Sequence, residues 1–238
     1  MVSVIEPAKA LIDPLGGVTA AVQARRWFLP LVALAMATSL SGAAFALRWD
    51  PGPGVLRELG PEASRTSERE IAEKIEQAGR VRLVAGVAKG VFVMPLSVLL
   101  VAVALKLCGW LFGTRARFAA CFSAAAIAFL PIALYHLVFA TAALRQVAVT
   151  ESQLATLVPS SLAAMKAAVS PEWKRALGAV DFFSLWSATL LGLGFSAASG
   201  MRRSRAVALG FLLYVMYAAV FLVGVPGLMA SGGGGPPR

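Results

Sequence analysis

Five apolar runs, at residues about 27–47, 89–112, 118–144, 179–198 and 206–227, constrain this chain more than any other feature. A helix rises roughly 1.5 Å per residue, so about twenty apolar residues cross a hydrocarbon core of about 30 Å. No water satisfies the backbone inside that core, and a lone segment can bond all its own amides only as a helix. The fold class follows: all-α, a polytopic membrane protein, five transmembrane helices in a bundle forming one integral membrane domain over residues 1–238. Of the 238 residues, 58% are hydrophobic and only 14% charged, where a soluble domain carries about a quarter charged.

Lys and Arg number 22 against 12 Asp and Glu, a net charge of +10. These cations sit beside the apolar runs, where they set topology and meet anionic headgroups; no basic stripe with interleaved aromatics lies away from a span, which argues against nucleic acid. Arg25 and Arg26 precede the first run, Arg115 and Arg117 separate the second from the third, and Arg202, Arg203 and Arg205 separate the fourth from the fifth. As topology anchors they place the N-terminus in the cytoplasm and the C-terminus outside, in a bacterial inner (plasma) membrane. Trp27, Trp49, Trp110 and Trp173 mark the interfaces, and Trp186 alone is interior. The segment RRWFL also resembles a twin-arginine export signal, but the run behind it has full spanning length, which favours an uncleaved first span. Cys108 and Cys121 form no CxxC pair and read as reduced, apolar-behaving thiols.

Between the first two spans, Ser67 and Glu70 form a capping-box pattern, and Arg69–Glu73, Glu70–Lys74 and Glu76–Arg80 are spaced for pairing. The pattern predicts a charged extramembrane helix in the first loop, running toward span two. Lys106 lies in the last turns of that span, close enough to its end to snorkel. Pro131 should kink span three, with His136 about one turn beyond it. Residues 145–177 suggest short interfacial helices, and the tail 229–238 has flexible-linker composition.

Span four carries Ala188, Gly192, Ser196 and Gly200 at every fourth position, a small-residue face suited to close helix packing. Asp181 stands near its start, with two readings open: a helix cap, or a buried polar partner for another span. No P-loop, GxGxxG, GxSxG or metal-ligand cluster occurs, and no cofactor is implied. The nucleophile–base pairing on offer sets His136 against Ser184 or Ser187, with nothing to supply oxyanion donors. That indicates a protein without catalytic activity.

Four segments, DPLGGVTAAVQARRWFLP, CGWLFG, AFLPIAL and DFFSLWSATLLGLGFSAASGMRRSRA, resemble the YIP (Ypt-interacting protein) family, in particular its prokaryotic members. Asp181, Phe182, Trp186, Gly192 and Gly194 fall at the positions that resemblance leads one to expect. It implies five spans and a cytoplasmic N-terminus. Eukaryotic members take part in vesicle traffic between endoplasmic reticulum and Golgi and associate with prenylated Rab-type GTPases; the tail ahead of span one is short here by comparison.

Two functions compete. One is a non-enzymatic membrane scaffold that engages lipids, a second copy of itself or another membrane protein through the Gly192 face. The other is a carrier or channel for a lipid or small solute, with Asp181, His136 or Lys106 lining its path. Whether those three side chains converge discriminates them.

Overall fold

The computed structural model describes residues 5–150, 153, 157–162, 177–178 and 180–220. Among these the structure is helical, with no β-strand, and five helical segments are long and apolar enough to cross a membrane. Trp173, the tail 229–238, the end of span five beyond residue 220 and most of the proposed interfacial helices lie outside the described residues.

Two short helices, α1 (Ile5–Ile12) and α2 (Pro14–Gln23), come first. Asp13 starts α2 by accepting the Gly16 N–H at 3.0 Å, and Pro14 occupies the first turn, where its missing donor costs nothing. The chain leaves α2 through Arg25, whose φ of +52° lets the Arg26 N–H reach back to Ala21 O at 2.9 Å. Span one is α3 (Phe28–Arg48). Beyond it come α4 (Gly52–Leu59), a 3₁₀ turn (Gly60–Ser64) and α5 (Glu68–Ala88).

The charged helix forms as its sequence dictates. Ser67 accepts the Glu70 N–H at 3.2 Å, and Arg69–Glu73, Lys74–Glu70 and Arg80–Glu76 pair at 3.4, 3.6 and 2.5 Å. It does not end before span two. A π-helical turn (Lys89–Val93) carries α5 directly into α6 (Met94–Leu111), so Glu68–Leu111 is one helical segment of 44 residues. Pro95 accounts for the turn: without an N–H it cannot bond the carbonyl four residues back, and its ring crowds that carbonyl. The Met94 N–H instead bonds Lys89 O, five residues back.

Span three is divided as its proline demands. It comprises α7 (Phe118–Ala128) and α8 (Leu130–Arg145), with Phe129 at the join and Pro131 in the first turn of α8. Span four is α9 (Phe182–Ser199) and span five begins with α10 (Arg203–Tyr217).

The chain divides into two compact units. The first takes in the described residues of Met1–Ala33, Ser97–Ile132 and Pro159–Arg238. Here α9 packs against α10, α7 and α2. Glycines set that packing: a Cβ on Gly192 would lie 2.7 Å from Ala206 O, and one on Gly194 would lie 2.8 Å from the Ala124 Cβ. Phe195, fully buried, fills the middle of this unit. The second unit takes in Leu34–Leu96 and Ala133–Val158. In it α3 and α5 touch backbone to backbone, a Cβ on Gly42 lying 2.6 Å from Gly86 Cα, C and O. Ala44, Phe45, Phe139, Ala140, Ala143 and Val149 form its core, and Val149 pairs with Trp49 in an isolated bridge.

Candidate functional site

The structure gives Asp181, Lys106 and His136 each a separate partner. Asp181 Oδ1 accepts the Ser184 N–H at 3.0 Å, so Asp181 caps α9 and complements the positive end of the helix. Lys106 Nζ donates to Ala116 O at 2.7 Å, tying the end of α6 to the loop before α7. His136 Nδ1 lies 2.8 Å from Ser41 Oγ. The serine beside the histidine thus belongs to α3, and the pairing of His136 with Ser184 or Ser187 is corrected accordingly.

The small-residue face of α9 is also accounted for. Ala188 and Gly192 face α10 of the same chain: a Cβ on Gly210 would sit 2.5 Å from Ala188 O and 2.9 Å from Gly192 N. Ser196 Oγ donates to Met201 O at 2.7 Å, and Gly200, at φ +73°, is the left-handed cap that lets the chain turn. The part of the face formed by Ala188 and Gly192, offered by sequence to a second protein, is filled from within. The anchor arginines Arg25, Arg115, Arg117, Arg202, Arg203 and Arg205 are exposed at turns or helix starts, and Arg26 is half-buried.

Each unit holds a cleft among its described residues. In the first unit a cleft of about 380 Å³ lies between α2 and the α9–α10 turn, with Thr19, Gln23, Ser196, Arg202 and Arg203 on its walls. In the second a cleft of about 380 Å³ is walled by α3, α5 with its π turn, and α8. Arg82 and Lys89 line the α5 side, seven residues and therefore two helical turns apart. The Arg82 guanidinium lies 4.9 Å from the Phe45 ring centre and 5.3 Å from that of Trp49, within cation–π range. Tyr135 and Phe139 supply further aromatic wall. Among the described residues, neither cleft is lined by a carboxylate.

Ser41 has one proton and two acceptors within reach, Thr38 O at 2.9 Å and His136 Nδ1 at 2.8 Å. When the proton goes to Thr38, Nδ1–H donates to Oγ, and the pair is a structural link between α3 and α8. A nucleophile would need the opposite assignment, a group to orient the imidazole and donors for an oxyanion. Among the described residues, the lining side chains include no carboxylate to orient the ring, and the surrounding backbone is helical, its N–H groups already bonded. Among the described residues no three His, Cys, Asp or Glu side chains come together as a metal-ligand group.

Sequence reasoning passed over Thr38, Ser41 and Arg82. One signal was in view: Gly86 and Gly90 form a G-x-x-x-G in the run that packs on α3, a pattern for close helix approach. A Cβ on Gly90 would meet Ala35 O and Ser39 N at 2.5 Å.

The Yip1 domain family model matches residues 9–225. Among curated proteins and among solved structures, none matches the chain.

Proposed function

The chain belongs to the Yip1 domain family, and from that premise we propose that it is a non-enzymatic membrane scaffold that engages acidic lipid headgroups and, through them, membrane-associated partners. One observation carries the reading: among the described residues, the cleft of each unit presents Arg or Lys and no carboxylate, so each attracts an anion. The orientation proposed with it has the N-terminus in the cytoplasm of a bacterial cell, since the short loops holding Arg115, Arg117 and Arg202–Arg205 are basic and free of acids. A second copy of the chain or another membrane protein would meet the exposed apolar surface of α5–α6, where Phe92, Leu100 and Trp110 are open. The Gly192 face is no longer offered for that role.

The test is native mass spectrometry of the protein released from membranes in mild detergent. Acidic phospholipids retained over zwitterionic ones support the reading; equal retention, or none, contradicts it. A lipid-carrier reading has support in the same cleft, because Arg82, Lys89 and His136 share it. Reconstituted vesicles would then move a labelled phospholipid between leaflets faster than protein-free controls, and flux equal to the controls removes that alternative.

A further inference from the structure

The second unit's cleft carries more detail than attraction of an anion requires. Arg82 stands over Phe45 and Trp49, which hold its guanidinium by their faces and leave its donors without a carboxylate partner among the described residues. Lys89 opens the π turn two helical turns further along the same face, likewise without an ion pair among the described residues. Between them, the Gly42–Gly86 contact closes the floor of the cleft, the two backbones meeting with no room for a side chain. Across the cleft, Thr38 is 1% exposed and its Oγ1 has no hydrogen-bond partner. A threonine in a helix can usually return its proton to a carbonyl one turn back, so an unpartnered hydroxyl at a cleft wall is an unsatisfied polar group where an acceptor would be stabilising.

The ligand chemistry follows from these groups. Two cations two helical turns apart, a hydroxyl donor and the Ser41–His136 pair match a phosphate-bearing group with further polar atoms. The surroundings decide what bears it. Val81, Val84, Phe92 and Val93, on the same helix as the cations, are 62%, 68%, 71% and 48% exposed, an apolar surface that in a bilayer faces acyl chains. A soluble phosphate ester would bring nothing to cover it.

We propose that the cleft walled by α3, α5 and α8 is a binding site for one acidic phospholipid. The phosphate sits between Arg82 and Lys89, Thr38 and Ser41 contact the headgroup, and the acyl chains run along the valine face of α5. This rests on the lipid-engaging reading above and assigns it to named residues.

The experiment uses the full chain purified in mild detergent, with thermal stability and lipid retention by native mass spectrometry as readouts. The probes are phosphatidylglycerol, phosphatidylcholine, glycerol 3-phosphate and inorganic phosphate. Phosphatidylglycerol should be retained and raise the melting temperature, while the other three leave it unchanged. The double variant Arg82→Gln/Lys89→Gln should bind phosphatidylglycerol at least tenfold more weakly and keep its lipid-free melting temperature within a few degrees. Thr38→Val, which replaces an unpartnered hydroxyl by a methyl of the same shape, should keep or raise the lipid-free melting temperature yet reduce the lipid-induced shift. Unchanged phosphatidylglycerol binding in Arg82→Gln/Lys89→Gln overturns the site. If Arg202→Gln/Arg203→Gln abolishes retention instead, this site falls and the lipid-engaging reading stands. If the wild-type chain retains no acidic lipid over phosphatidylcholine, both fall. A melting-temperature rise with inorganic phosphate equal to that with lipid overturns the lipid as the bearer of the phosphate.

Discussion

Replacing Gly192 by alanine separates packing within the chain from packing between chains. A new Cβ would sit 2.7 Å from Ala206 O and 2.9 Å from Val207 N, both backbone atoms that cannot rotate away. Ordinary contact begins at 3.4 Å and the Val207 Cα lies nearer still than these two atoms, so α9 and α10 must part by more than roughly 0.7 Å (3.4 less 2.7) or the two helices must slide. Overpacking of this kind costs about 1–3 kcal/mol, and the better helix propensity of alanine returns up to about 1 kcal/mol. The expected net loss is about 1–2 kcal/mol, or a fall in melting temperature of roughly 2–8 °C for a chain of this size. The native cysteines supply the assay: Cys121 is fully buried in α7, which packs on α9, and its reaction with a fluorogenic maleimide reports opening of this unit. Gly192→Ala should label at lower temperature, with the elution volume in size-exclusion chromatography unchanged. A variant that melts like wild type while losing an oligomer or a co-purifying partner would refute the internal packing role and return the Gly192 face to a second protein. Gly79→Ala is the control, since no atom lies within 4 Å of its new Cβ; it should leave stability unchanged or raise it by up to about 1 kcal/mol.

Asp181→Ala should cost about 0.5–2 kcal/mol by removing the cap of α9, and Asp181→Asn should recover most of it; equal losses in the two variants would point to a charge interaction beyond the cap. Gly200→Ala should destabilise by about 1–2 kcal/mol because φ +73° crowds a Cβ, measured by the same maleimide melt, and no change there would mean the turn rearranges. Glu76→Gln should alter stability by less than about 1 kcal/mol, because the Arg80–Glu76 pair is exposed; a larger, salt-sensitive loss by thermal melt would give the charged helix a docking role.

How far the sequence is legible depends on the physics behind each element. The spans are legible because lipid imposes length and polarity on each segment separately, and their count needs no tertiary information. The cap at Ser67 and the three ion pairs on α5 are likewise local, set by spacing along one helix. The join of α5 to α6 is harder. Pro95 announces a disturbance but not its form, and only the backbone shows that a π turn absorbs it without a break. The cleft is least legible, since Thr38, Arg82 and His136 come from three helices and no local pattern announces that they meet. The G-x-x-x-G at Gly86 and Gly90 marks a close approach without naming the partner helix. The same limit applies to Gly192: periodicity finds the face, and only the fold shows that α10 fills it.

Five crossings place the loop around Glu62 on the side opposite to Lys9, Thr114 and Ser204. In a chain carrying Cys108→Ser and Cys121→Ser, single cysteines at these four positions can be probed in intact cells with a membrane-impermeant maleimide. Glu62→Cys should label in intact cells, while Lys9→Cys, Thr114→Cys and Ser204→Cys should label only after lysis. Labelling of Glu62→Cys and Thr114→Cys from the same side would contradict the crossing of α5–α6, and with it the five-span architecture.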